Sequence, residues 1–381
     1  MFEYFPDNYV WSLAVVGVLN SGGHIDEVDR ACRPLREASE RGADAGTEEF
    51  FHAWSAVADR LVAAAVADET AGRVRSARQK FTRAANYLAA AERMQSRHWE
   101  PRRRAYERSL ELFAKGVAGR NCRRVEVPFA DSSLPGYLVA AEGVDGPAPC
   151  VIQWNGLDST KEMLYLTGFA DELASRGVST LIVDTPGSGE ALRLRGLTAI
   201  PETERWAAAC VDFLERRPDV DADRIGIVGW SLGGYYAPRA ASFEKRLKLC
   251  VAWGANHNWG EMQKRRLDRE GERPVPHYWD HVMWVWGAGA LEEFMSIAER
   301  VSLVGVLDKM TIPFLVTHGE NDRQIPVEYA HQSYAEAVNS PKRELRIFTR
   351  DEGGAEHVGV DNIPMHSTFI ADWIAETFAG R

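Results

Sequence analysis

Cysteine is scarce in this chain, positive charge is in deficit, and nothing marks a cofactor. The five cysteines, Cys32, Cys122, Cys150, Cys210 and Cys250, are odd in number and widely spaced. With no C-x-x-C pair they suggest neither a disulfide framework nor a zinc site, and reduced thiols in a cytoplasm are expected. Against 55 Asp and Glu stand 45 Lys and Arg, a net charge of -10. That average field repels nucleic acid and acidic membranes, and the basic run "PRRRAYER" reads as a solvated helix face or an interdomain salt-bridge surface. The opening "MFEYFPDNYVWSLAVVGVLN" has no basic leader region, and its apolar part is about half the ~20 residues of a membrane span. No phosphate-cradling glycine motif and no metal-ligand cluster is found, so neither a cofactor nor a metal is implied.

What remains is an ordinary globular composition, 45% hydrophobic over 381 residues, enough to bury a large core. From Asp26 to about Lys115, segments such as "AWSAVADRLVAAAVADE" and "ARQKFTRAANYLAAAERM" repeat apolar residues at helical spacing. Residues 1–120 are therefore read as a helical cap domain. Beyond it, short apolar runs ("APCVIQW", "STLIVD", "RIGIVGW", "LKLCVAW", "PFLVTHG", "ELRIFTR") alternate with helical segments. Such runs imply strands buried on both faces, so residues 121–381 are expected to be an α/β domain with a mostly parallel sheet flanked by helices. Residues 256–309, with Trp259, Tyr278, Trp279, Trp284 and Trp286, break the alternation and read as a helical insertion forming a cap.

The stretch "GWSLGGYY" places Ser231 directly after an apolar strand and before a helix. A serine on so tight a turn needs neighbours without side chains, which Gly229 and Gly233 supply; its hydroxyl then projects above the sheet as a nucleophile. A hydroxyl is a poor nucleophile without a base. In this architecture an acid and then a histidine follow the serine at later strand ends. "PFLVTHGENDRQIP" offers Asp322, with Glu320 as the alternative, and "ELRIFTRDEGGAEHVGVD" offers His357. His318 reads as a packed histidine. The two oxyanion donors are assigned to the backbone amides of Leu232 and, in "NGLDSTKE", Leu157. Asp184 in "VDTPGSGE" reads as a loop-stabilising carboxylate, and Ser188 lacks the glycines of a nucleophile turn.

Taken in order, "NGLDSTKE", "VDTPGSGE", "GWSLGGYYAPRAA", "HGENDRQIP" and "GGAEHVG" resemble the α/β-hydrolases, and within them the FrsA-like branch that includes 2,6-dihydroxypseudooxynicotine hydrolase and the fungal enzymes that shorten polyketides. The resemblance covers nearly the whole chain, helical N-terminal domain included. By position it implies Ser231 as nucleophile, Asp322 as acid and His357 as base. It implies cleavage of a carbon-carbon bond beside a ketone, or of an ester. One departure is "WNG" where a Gly-Gly pair is common, so Asn155 either reshapes the oxyanion loop or adds a polar contact.

Three readings follow. The first is a Ser-His-Asp hydrolase cleaving a carbon-carbon bond next to a ketone, with a polar group from "GANHNWGEM" (His257, Asn258 or Glu261) binding a second carbonyl. The second keeps the triad but makes the protein an esterase, lactonase or acyl transferase, and the third is a non-catalytic small-molecule receptor. The aromatics, among them Trp259, Trp284 and the N-terminal Phe2, Tyr4, Phe5 and Trp11, are expected to line a lipophilic pocket between cap and core for an aromatic or polyketide-like substrate. The apolar N-terminal helix either covers that pocket or forms a homodimer seam.

Overall fold

The computed structural model describes residues 1–269 and 275–380. Residues 270–274, which fall inside the expected insertion, lie outside the described residues. The chain divides into two compact units, Met1–Cys122 with Glu272–His281, and Arg123–Gly271 with Val282–Arg381.

The first unit holds α1 (Tyr9–Asn20), α2 (Ile25–Cys32), α3 (Arg36–Ser39), α4 (Thr47–Thr70), α5 (Val74–Arg93) and α6 (Glu100–Val117). Asn8 opens α1 by accepting the Trp11 amide proton at 3.1 Å, and Pro101 stands at the start of α6, where its missing N–H costs nothing. α5 packs against both α4 and α6. Gly116 lets α6 approach α5 closely, since a Cβ there would clash with Thr82. Aromatic rings form a ladder through the unit: Phe5 to Trp11 at 5.5 Å, Trp11 to Phe50 at 5.0 Å, Phe50 to Trp54 at 5.6 Å and Trp54 to Tyr87 at 5.5 Å. Phe5 and Trp11, expected to line a substrate pocket, are thus consumed by the unit's own core. Tyr4 donates to Asp29 at 2.6 Å, and Phe2 is exposed. By length and composition α4 is apolar enough to cross a membrane, yet its Phe50, Trp54, Val57, Leu61 and Ala65 are buried core residues.

The second unit is built on eight strands: β1 (Arg123–Phe129), β2 (Ser132–Val139), β3 (Ala148–Trp154), β4 (Ser179–Val183), β5 (Val220–Trp230), β6 (Cys250–Trp253), β7 (Phe314–Gly319) and β8 (Arg343–Phe348). They lie in the order β1-β2-β4-β3-β5-β6-β7-β8. β2 runs antiparallel to both β1 and β4, and the pairs from β4 through β8 are parallel. Every residue of β3, β4, β6 and β7 is buried, as uninterrupted apolar runs demand. Between and after the strands come α7 (Lys161–Leu166), α8 (Phe169–Ser175), α9 (Gly189–Arg193), α10 (Glu204–Glu215), α11 (Gly233–Phe243), α12 (Trp259–Arg269), α13 (Tyr278–Trp286), whose residues up to His281 are counted with the first unit, α14 (Leu291–Glu299), α15 (Glu328–Glu336) and α16 (Ile363–Phe378).

Register decides what comes next. Val183 pairs with Trp154, Trp154 with Gly229, Trp230 with Trp253, and Trp253 with Thr317. Parallel strands in this register end on one edge, so the residues that follow them, Asp184, Asn155, Ser231, Gly254 and Glu320, emerge side by side. That carboxyl edge is where open parallel sheets place their chemistry.

Candidate active site

Ser231 leaves β5 in the left-handed region, at φ +61°, a strained backbone for a residue with a side chain. The turn is held from several directions. Its amide donates to the Trp253 carbonyl at 2.8 Å, and its carbonyl accepts from Gly234 at 2.7 Å. A Cβ on Gly229 would collide with the Gly233 carbonyl, and one on Gly156 would stand 2.9 Å from the Ser231 Cβ. α11 begins at Gly233, so the positive end of its dipole lies beside the hydroxyl.

His357 arrives on the loop after β8. Its Nε2 lies 2.8 Å from Ser231 Oγ, and its Nδ1 lies 2.8 Å from Asp322 Oδ2. The other oxygen of Asp322 accepts the amides of Gln324 at 2.7 Å and Ile325 at 2.9 Å. Burial alone pushes the Asp322 carboxyl up, but the charge and hydrogen bond of His357 outweigh it and hold the group below its usual range. An ionised Asp322 favours the tautomer with the imidazole proton on Nδ1, an arrangement in which Nε2 can accept a proton from the Ser231 hydroxyl. Glu320, the alternative acid, is exposed and accepts the Arg350 amide at 2.6 Å. His318 is fully buried, donates from Nε2 to the Ile325 carbonyl at 2.9 Å, and is kept neutral by that burial.

The histidine loop is clamped by residues that sequence reasoning did not single out. Asp361 accepts the amides of Gly354, Ala355 and Glu356 at 3.1, 3.2 and 3.0 Å. Trp253 Nε1 donates to the Val358 carbonyl at 2.9 Å, and Val358 sits at φ +51°. The only signal for Asp361 is its place four residues after the histidine.

Behind the serine turn, the loop after β3 is pinned by Asp184. The carboxylate accepts from Asn155 Nδ2 at 3.0 Å, the Lys161 amide at 2.7 Å, Lys161 Nζ at 2.9 Å and the Glu190 amide at 2.9 Å. Ser188 Oγ and Thr185 Oγ1 donate to Asn155 Oδ1 at 2.9 and 3.2 Å. The amide of Asn155 is therefore committed inside the loop and does not face a substrate, which corrects one of its two expected roles. Leu232 stands directly after Ser231, and Leu157 directly after Gly156, whose own amide donates to Ser159 Oγ at 3.0 Å.

The candidate substrate contacts fare differently. His257 is buried between Ser333 Oγ at 3.1 Å and Glu336 Oε2 at 3.1 Å, and burial, against the pull of Glu336, lowers its pKa. Asn258 accepts the Glu261 amide at 3.2 Å at the start of α12 and bridges to Ser302. Glu261 is exposed and pairs with Arg265 at 2.5 Å. Trp259 packs between Trp286 at 5.4 Å and Phe294 at 5.7 Å, and Trp284 lies under the guanidinium of Arg193 at 5.8 Å. The polar run after β6 serves capping and packing because α12 begins inside it, at Trp259. Among the described residues, no group of three His, Cys, Asp or Glu side chains is placed to hold a metal.

The profile described as Esterase FrsA-like matches residues 48–266, and that of the Prolyl oligopeptidase family matches residues 169–381. Hydrolase LUC6 of Fusarium sp is 29% identical over 100% of this chain and 99% of its own length. The 20-hydroxy-prefusarin hydrolase FUS2 of Gibberella moniliformis is 28% identical over 88% of this chain and 89% of its own. The crystal structure of 2,6-dihydroxy-pseudo-oxynicotine hydrolase superposes with a TM-score of 0.77 at 24% identity, covering 96% of both chains.

Proposed function

The chain belongs to the FrsA-like esterase family and, over its strand-rich half, to the prolyl oligopeptidase family; from that membership we propose that this α/β-hydrolase is a serine hydrolase whose triad is Ser231, His357 and Asp322. The observation that carries the reading is the unbroken relay of two 2.8 Å contacts from hydroxyl to imidazole to buried carboxylate. Ser231 Oγ attacks a substrate carbonyl while His357 Nε2 takes its proton, and Asp322 holds the imidazole tautomer and offsets the charge that forms. The amides of Leu232 and Leu157 receive the oxyanion, where a lost donor typically costs 10² to 10³ in rate.

The first substrate class is a ketone with a second carbonyl placed to delocalise charge. When the tetrahedral adduct collapses, the carbon-carbon bond breaks, the electron pair leaves as an enolate, and the imidazolium of His357 protonates that carbon. Water, deprotonated by the same histidine, then releases the acyl group from Ser231. Support comes from the resemblance to carbon-carbon hydrolases and from relatives named as hydrolases of 20-hydroxy-prefusarin and 2,6-dihydropseudooxynicotine. A second reading, ester cleavage by the same relay, is favoured by the family's own description as esterase. Free thiols at all five cysteines support a reducing, cytoplasmic setting.

Parallel panels of 1,3-diketones and aryl esters separate the two substrate classes, with diketone cleavage expected. Ester turnover with no diketone cleavage rejects the carbon-carbon reading. A fluorophosphonate is expected to label the wild type and not Ser231→Ala, and equal labelling of both rejects Ser231 as nucleophile.

A further inference from the structure

The Lys161 side chain is completely buried, with its ammonium 2.9 Å from Asp184, 3.1 Å from Glu190 and 2.7 Å from Glu162. A buried ion of this kind is expensive to desolvate and is kept only where its partners are fixed. Here they are fixed on every side. Glu190 is held by Arg124 at 2.8 Å and Arg195 at 3.0 Å, and although burial pushes its carboxyl up, Arg124 and Lys161 bring it down to about 2. Glu162 accepts from the Tyr137 hydroxyl at 3.2 Å. Gly189 passes so close to the Asp184 carboxylate that any side chain there would overlap it.

The inner end of this cluster reaches the loop that carries Leu157. Asp184 grips Asn155 Nδ2, and that same amide nitrogen donates to the Ser159 carbonyl at 3.1 Å, closing the loop on itself. From the other side the loop is pressed against the nucleophile turn: a Cβ on Gly233 would lie 2.9 Å from the Asn155 carbonyl oxygen, and one on Gly156 would lie 2.9 Å from the Ser231 Cβ and 3.0 Å from the Trp230 carbonyl oxygen. The loop is therefore squeezed between the serine turn and a buried ionic anchor.

We propose that Lys161, Asp184 and Asn155 form a positioning relay whose function is to fix the oxyanion loop against Ser231. None of the three touches the reacting atoms. The relay acts on the transition state through the amide of Leu157 and leaves ground-state binding alone, and it rests on the reading of Ser231 as nucleophile. It also accounts for asparagine at this place, because its side-chain amide donates to Asp184 while accepting from Ser188 and Thr185.

The test uses a fluorophosphonate, whose phosphoryl oxygen occupies the oxyanion position in the adduct, so no knowledge of the natural substrate is needed. Asn155→Ala and Asp184→Asn are expected to slow the maximal rate of Ser231 phosphonylation by about 30- to 100-fold and to change the half-saturating probe concentration by less than about threefold. A merely structural role lowers the melting temperature and leaves the maximal labelling rate intact. If Asp184→Asn fails to fold, Asn155→Ala, which leaves the ionic cluster whole, decides alone. Labelling of folded Asn155→Ala within about twofold of wild type, with Ser231→Ala unlabelled, overturns the relay and spares the nucleophile. Equal labelling of Ser231→Ala overturns the nucleophile and the relay with it.

Discussion

Left-handed backbone at a residue with a side chain is costly, of order 1–3 kcal/mol, and two such residues, Ser231 and Val358, flank the same imidazole. The strain at Ser231 was legible in the glycines around it. That at Val358 was not, because a β-branched residue gives no hint of φ +51°; the hydrogen bond from Trp253 and the amides tied down by Asp361 impose it. His366, in α16, ties down the same loop. Its Nε2 donates to the Gly354 carbonyl at 2.7 Å and its ring stacks on Phe348 and Trp253. Burial lowers its pKa to about 4. A histidine depressed when folded and near 6.5 when unfolded stabilises the fold fully above about pH 6.5 and loses that contribution as pH falls towards 4. Denaturant titrations at pH 7.5, 6, 5 and 4 are expected to show stability falling already between pH 6.5 and 5, by about 2 kcal/mol, and His366→Gln is expected to flatten that part of the curve. An unchanged slope in the variant refutes the assignment.

At the level of elements, the parallel strands were readable because strands buried on both faces carry unbroken apolar runs, and their ends delivered Ser231, Asp322 and His357 to one edge. The segment after β6 was harder to read. His257, Asn258 and Glu261 carry the residue types of a polar binding site, but α12 begins at Trp259 and recruits Asn258 as its cap, while Ser333 and Glu336 of α15 enclose His257. Pairings across elements so far apart in the chain leave no local trace in sequence. The tryptophans there pack: Trp259 joins Trp286 and Phe294, and Trp286 meets Tyr236 of α11 at 6.4 Å. Trp259→Ala is expected to destabilise the second unit by about 3–5 kcal/mol, measured by thermal unfolding. A loss below about 1 kcal/mol shows that the cluster is not a packing core.

For the whole molecule, composition was the better guide. The excess of acidic residues leaves a net charge of -10, and the arginines of "PRRRAYER" are engaged locally, Arg102 with Glu92 at 2.7 Å, Arg103 with Glu107 at 3.0 Å, Arg104 with Glu100 at 2.8 Å and Arg108 with Asp59 at 2.6 Å. The intact protein is expected to pass through a heparin column unretained at low salt; retention past 0.2 M salt contradicts this.

The first unit is assembled from two stretches of chain, the second ending at His281. During synthesis, its opening 122 residues leave the ribosome well before that closing stretch exists. At about 5–20 residues per second, the helices wait on the order of ten seconds for their last piece, a window in which a chaperone or a protease meets them first.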